Sequence, residues 1–133
     1  MYRIYDSGYR GDCPKESSEQ KHLVKEIRSR FPKTIGKVLF HVENEGKRGY
    51  GQANYARQQG QTKGASDLII PGNPSCVIEL KRRNKSLSKV SKEQHDFLVA
   101  THELGAFACL CYGAAEALKA VDDYINEYYD LPK

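Results

Sequence analysis

Two carboxylates and one ammonium group, carried on two short apolar runs, are the side chains in this chain best placed to do chemistry together. Val77-Ile78-Glu79-Leu80-Lys81 reads as a strand. Side chains two apart on a strand share a face, so Glu79 and Lys81 emerge side by side while Ile78 and Leu80 point the other way. Upstream, Asp67 opens the run Leu68-Ile69-Ile70, and the link between the runs, Pro71-Gly72-Asn73-Pro74, consists of turn residues. Paired as a hairpin, the runs bring Asp67 near Glu79 at the edge of an apolar sheet. Two carboxylates in that setting suit a hard divalent cation such as magnesium. Taken alone, a Glu-x-Lys strand is most often a solvated face, so the case rests on what the remaining elements bring to it.

The elements that must position these residues follow from periodicity and punctuation. Residues 1–15, rich in Tyr and Gly, read as an irregular arm. A helix is predicted over 18–31, with Ser17 and Gln20 as a capping box, Leu23, Val24, Ile27 and Phe31 as its apolar stripe, and Pro32 as its stop. Glu19 lies one turn before Leu23, on the inward side. Residues 37–42 read as a strand, and 52–59 as a short helix inside a polar stretch. After the hairpin, Ser91 and Gln94 repeat the capping-box spacing for a helix over 92–104 that Gly105 closes. A buried strand over 106–112 and a helix over 114–129 complete the chain. Strand, helix, strand over 77–112 calls for a right-handed parallel crossover. The fold class expected is α/β, a mixed four-stranded sheet flanked by helices.

Composition limits the alternatives. A chain of 133 residues fits one domain able to bury a core without staples. Cys13, Cys76, Cys109 and Cys111 match no zinc spacing; three of them sit in apolar runs as small hydrophobes, which fits a reducing cytoplasm. No apolar run is long enough to span a membrane. His22, His41, His95 and His102 lie on separate elements and read as structural or surface residues, so no nucleophile–His set competes. The net charge is only +4, but Lys81, Arg82, Arg83, Lys85, Lys89 and Lys92 follow one another with no acid between. Lys47, Arg48, Arg57 and Lys63 add a second basic stretch. Basic runs flanking an acidic pair favour a polyanionic partner.

Glu19, Asp67, Glu79-Leu80-Lys81 and Gln94, in that order on those elements, resemble the PD-(D/E)XK nuclease superfamily, and within it the VRR-NUC family. Ser18-Glu19, Asn44-Glu45-Gly46, Gly64-Ala65-Ser66-Asp67-Leu68 and Ser91-Lys92-Glu93-Gln94, followed by Phe97 and Gly105, carry the resemblance over most of the chain. Ser66 stands where the family has Pro. The resemblance implies a restriction-endonuclease-like core over 16–112, preceded by the arm and followed by a C-terminal helix at 113–133. It also implies a Mg2+- or Mn2+-dependent DNA endonuclease. Asp67, Glu79, the Leu80 carbonyl and Glu19 would hold the metal, Lys81 would act on water and phosphate, and Gln94 would position Lys81 or the water. Lys47, Arg48, Arg57, Lys63, Arg82, Arg83 and Lys85 would contact phosphates. By analogy with small Holliday-junction resolvases, the substrate would be branched DNA and the assembly a homodimer, its surface supplied by the Tyr-rich arm and by Tyr124, Tyr128 and Tyr129. The alternative is an inactive nucleic-acid-binding subunit of a larger complex.

Overall fold

The computed structural model describes residues 1–43 and 50–129. Its centre is a five-stranded mixed sheet flanked by helices, in the order β1-β5-β4-β3-β2. The strands are β1 (Arg3–Tyr5), β2 (Phe40–His41), β3 (Leu68–Ile70), β4 (Cys76–Lys81) and β5 (Phe107–Tyr112). The helices are α1 (Glu16–Arg30), α2 (Ile35–Val38), α3 (Tyr50–Gln58), α4 (Lys92–Glu103) and α5 (Ala114–Tyr128). β3 and β4 form the antiparallel hairpin, with Leu68 opposite Ile78 and Ile70 opposite Cys76. β4 and β5 run parallel across α4, and Glu79 lies opposite Leu110.

β4 and β5 are buried along their whole length, because helices cover both faces. Cys76, Ile78 and Leu80 pack with Leu23 and Ile27 of α1 and with Val121 and Tyr124 of α5. Val77, on the other face, packs with Leu98 of α4, Ala108 and Leu110. Glu79 and Lys81 share that second face, so the alternation that separates them from Ile78 and Leu80 also aims them at α4.

The structure departs from the sequence expectation at three elements. The arm contributes the fifth strand: Arg3, Ile4 and Tyr5 pair in parallel with Cys109, Leu110 and Cys111. Polar contacts to α5 secure it, with Arg3 bidentate on Glu127 at 2.7 Å and the Tyr5 hydroxyl donating to Asp123 at 2.7 Å. Helix α1 starts at Glu16 with no side-chain cap, so the Ser17–Gln20 box does not form. The 37–42 strand shrinks to Phe40–His41, because Ile35 and Leu39 are both buried at an i, i+4 helical spacing and draw the preceding residues into α2. By contrast, the Ser91–Gln94 capping box of α4 is complete.

Three of the four cysteines, Cys76, Cys109 and Cys111, are buried free thiols, and Cys13 is half-buried. Among the described residues no helix is long and apolar enough to cross a membrane.

Gly36 lets α2 press against the end of α1. A Cβ there would lie 2.5 Å from the Phe31 carbonyl oxygen and 2.8 Å from the Arg28 Cα, both backbone atoms that cannot rotate away. Gly36→Ala is expected to destabilise the protein by about 1–3 kcal/mol through overpacking. Urea unfolding checks this: the midpoint should fall with little change in the slope.

Candidate active site

The hairpin, the first turn of α1 and the start of α4 converge at the end of β4. Asp67, immediately before β3, ties three strands together there. Its backbone carbonyl accepts the Val42 N–H at 2.8 Å and lies 2.9 Å from His41 Nδ1. Its carboxylate accepts the Leu80 N–H at 2.8 Å, beyond the last Leu68–Ile78 pairing of the hairpin. The same His41 nitrogen lies 3.0 Å from Gln20 Nε2, so the tautomer of the ring sets which of the two it bonds: the protonated nitrogen donates to the Asp67 carbonyl, the bare one accepts from the Gln20 amide.

Glu79 is 1% exposed, and its Oε1 has no hydrogen-bond partner among the described residues. Oε2 accepts from Gln94 Nε2 at 3.5 Å and lies 3.9 Å from Lys81 Nζ. Burial first, then the neighbouring Asp67 charge, push the Glu79 carboxyl up to about 10, with Lys81 pulling the other way. Glu16, on α1, has its carboxyl raised by burial and then by Asp67, opposed by Lys81. An open cleft of about 300 Å³, lined by Glu16, Gln20, Lys21, His41 and Asp67 among others, lies in front of this group.

Gln94 is the third residue of α4, and its side chain serves two purposes. Oε1 accepts the Ser91 N–H at 2.9 Å, closing the capping box, and accepts from Lys81 Nζ at 3.0 Å. The sequence signal that starts the helix thereby fixes the ammonium group, which is 7% exposed, alongside Glu79.

The structure brings Asp67, Glu79, Lys81 and Gln94 together and places Glu19 elsewhere. The Glu19 carboxylate accepts the Ala114 N–H at the first turn of α5, where the positive end of a helix welcomes an anion. Gly113 permits this approach: its φ is +93°, and a Cβ there would lie 3.2 Å from Glu19 Oε2. Glu16, which the sequence reading passed over, is the α1 acid that faces Asp67. The signal was present, since Glu16, Gln20, Leu23 and Ile27 form one helical stripe once α1 begins at Glu16.

The basic residues divide similarly. Arg82 turns inward and donates to the carbonyls of Cys13 at 2.8 Å and Pro14 at 3.2 Å. Arg83 lies 4.1 Å over the Tyr9 ring and Lys85 5.8 Å from the Tyr112 ring. Lys63 pairs with Glu93 at 3.4 Å, and Arg57 is exposed on α3. Lys47, Arg48 and the Asn44-Glu45-Gly46 motif lie outside the described residues. The tyrosines expected at a dimer surface are largely engaged within the chain. Tyr124 is fully buried, its hydroxyl donating to the Pro74 carbonyl at 2.7 Å, and the Tyr129 hydroxyl accepts the Asn73 N–H at 3.0 Å.

Among the described residues no group of three or more His, Cys, Asp or Glu side chains could enclose a metal ion. The donors present nevertheless fit magnesium, which keeps several waters and takes only one or two carboxylates besides substrate phosphate. The unpartnered Oε1 of Glu79, pressed against Asp67, is the atom whose burial a divalent cation would compensate.

A solved chain described as a VRR_NUC domain protein matches this one with a TM-score of 0.73, covering 89% of this chain and 93% of its own, at 18% sequence identity. The fold is that of a VRR_NUC domain protein. No family model and no curated protein matches the sequence. The VRR_NUC likeness is therefore one of architecture, and it extends over nearly the whole of both chains.

Two outcomes follow from this geometry. Glu19→Ala should cost about 1 kcal/mol of stability, the scale of a lost helix cap, measured by thermal or urea unfolding. For Glu79, the unfolded carboxyl ionises near about 4.3, whereas the native one holds its proton up to about 10. Between those values the native state binds more protons than the unfolded state. The metal-free protein is therefore penalised increasingly as pH rises. Melting curves in EDTA across that window should show Glu79→Gln with the flatter pH dependence; equal slopes would contradict the buried carboxylate pair.

Proposed function

We propose that the chain is a metal-dependent endonuclease that hydrolyses phosphodiester bonds in DNA. One observation carries the reading: Asp67 and the unpartnered, buried Glu79 stand beside a Lys81 ammonium that Gln94 holds in place. A binding module has no use for carboxylates facing phosphate, whereas a hydrolase needs them to recruit a cation. The Asp67 and Glu79 carboxylates and the Leu80 carbonyl would hold Mg2+ or Mn2+, with Glu16 reaching the ion through water in the role that the family resemblance gave to Glu19. When bound, the cation would supply Lewis acidity toward the phosphoryl oxygens and make a water easier to deprotonate than it is in bulk.

The remaining work falls to side chains. Lys81 sits beside the carboxylates, where it would neutralise charge developing on the phosphoryl oxygens. Gln94 keeps the Lys81 ammonium from collapsing onto Glu79. The open cleft before Asp67 admits a backbone phosphate. By analogy with small junction-resolving nucleases, branched DNA is the substrate we favour. Paired cuts across a four-way junction need two sites related by a two-fold axis, hence a homodimer, which sedimentation at micromolar concentration tests.

The experiment is plasmid nicking and junction cleavage with magnesium or manganese. Asp67→Ala and Glu79→Ala should abolish cleavage while the protein stays folded and still binds DNA. Lys81→Ala should be nearly inactive yet retain metal binding, and Glu19→Ala should cut normally at temperatures where it is folded. Full activity in either the Asp67 or the Glu79 variant would remove the site assignment. DNA binding by wild type without cleavage of any substrate would favour the inactive-subunit reading.

A further inference from the structure

A second depression adjoins the cleft in front of Asp67. It is a groove of about 580 Å³ between α1 and the β2 edge, within the range of about 300–1,000 Å³ typical of ligand sites. Gln20, Lys21 and His41 line both, so the two are continuous. Beneath are Leu39 and Leu68, both buried, and on the wall stands Phe40, 47% exposed. An aromatic ring this exposed beside an apolar floor is not needed for the core. Along the rim, α1 presents Lys21, Lys25 and Arg28 at the i, i+4, i+7 spacing of one helix face. This row runs for about 10 Å at about 1.5 Å per residue. No carboxylate lines the groove, and none of the three cations belongs to an ion pair among the described residues.

We infer that this groove binds a single-stranded nucleic-acid segment leading away from the scissile phosphate. The inference rests on the nuclease reading above for the position of that phosphate. The cationic row matches a run of backbone phosphates, and Phe40 offers a face on which one base stacks. Cations along a groove with an aromatic platform are what sequence-tolerant single-strand binding requires. A blunt duplex would make poor use of the groove, because its bases are stacked inward and only its backbone could reach Phe40. Within branched DNA, the groove favours substrates that carry an unpaired tail or flap beside the cut over fully paired four-way junctions. Neither Phe40 nor the α1 row belongs to the basic runs that stand out in the sequence, since Lys21, Lys25 and Arg28 are scattered among apolar and acidic neighbours and only the helix aligns them.

The test is fluorescence anisotropy of the full chain in EDTA, with labelled oligothymidylate and a labelled blunt duplex as probes. Phe40→Ala should weaken oligothymidylate binding about tenfold, the size of one lost base–aromatic stack, and leave duplex affinity unchanged. Phe40→Trp should restore or exceed wild-type affinity. The double variant Lys25→Ala, Arg28→Ala should flatten the slope of log affinity against log salt by roughly 1.4 for the single strand. Phe40 is at the surface, so these variants should fold, which melting curves verify. Wild-type affinity of Phe40→Ala for oligothymidylate, or an equal loss on both probes, overturns the groove assignment. The readout needs no catalysis, so the two readings fail separately. If Glu79→Ala still cuts while Phe40→Ala loses the single strand, the nuclease site falls and the groove stands. If Glu79→Ala is dead and Phe40→Ala binds normally, the reverse holds.

Discussion

Two carboxyl groups that cannot both ionise comfortably govern the end of this sheet. Glu79 is sealed between β4 and α4, and Asp67 is brought to it by the hairpin register that sets Leu68 opposite Ile78. A single Lys81 ammonium 3.9 Å away does not compensate, as the raised Glu79 carboxyl records. Such an arrangement lowers the stability of the bare fold wherever the unfolded chain would ionise. Packing has not relieved it either: Glu79 points at α4, and only Gln94 of that helix reaches it. Stored unfavourable electrostatics of this kind are common at functional sites, and a divalent cation is the ligand that would reverse their sign.

The neighbouring elements can be understood as supports for that pair. Asp67 could have satisfied nothing but itself; instead its carbonyl holds β2 and its carboxylate holds the Leu80 N–H. The edge strand, the hairpin and the acid are fixed by one residue, so moving Asp67 would disturb three strands. On the opposite side, Gln94 belongs to a helix cap before it belongs to the site. Because a capping box specifies where a helix starts to the residue, the amide oxygen that meets Lys81 is placed with the same definition. Further out, Arg82 and Asn84 donate to the carbonyls of Cys13, Pro14 and Gly11. These bonds fasten the segment before α1 to the end of β4 and so set where the first turn of that helix lies.

Much of this was legible from residue order. The hairpin, the crossover through α4 and the grouping of Asp67, Glu79 and Lys81 follow from alternation of period two, turn residues and one capping box, all local signals with strong geometric consequences, whereas the site role of Gln94 comes from the family resemblance. What was not legible depends on partners distant in sequence. β1 is three residues long and is held by Asp123 and Glu127 of α5, more than a hundred positions away. Nothing in Arg3-Ile4-Tyr5 announces a strand without them. Val38-Leu39-Phe40 looks extended until Ile35 and Leu39 are known to enter the same core. Arg82 reads as surface charge in a basic run, and only the folded arm supplies the carbonyls that turn it inward.

Glu16 and Glu19 show how a two-residue difference in helix start redirects function. Both acids belong to the first turn of α1, and both favour its positive end. Starting the helix at 18 puts Glu19 in that turn and leaves Glu16 in the lead-in, which makes Glu19 the natural candidate for the site. Starting it at Glu16 rotates the assignment, and Gln20 and Leu23 join Glu16 on the face toward the sheet. Glu19 then meets the N-terminus of α5, a competing attractor with bare N–H groups and a glycine that leaves room for an oxygen. The hydrogen bond from Ala114 engages Glu19 at that helix, whereas Glu16 is the acid whose carboxyl feels the Asp67 charge. The division of labour is therefore set by the beginning of α5 as much as by α1. The structural acid locks the last helix against the first, and the other is left to face Asp67 across the cleft.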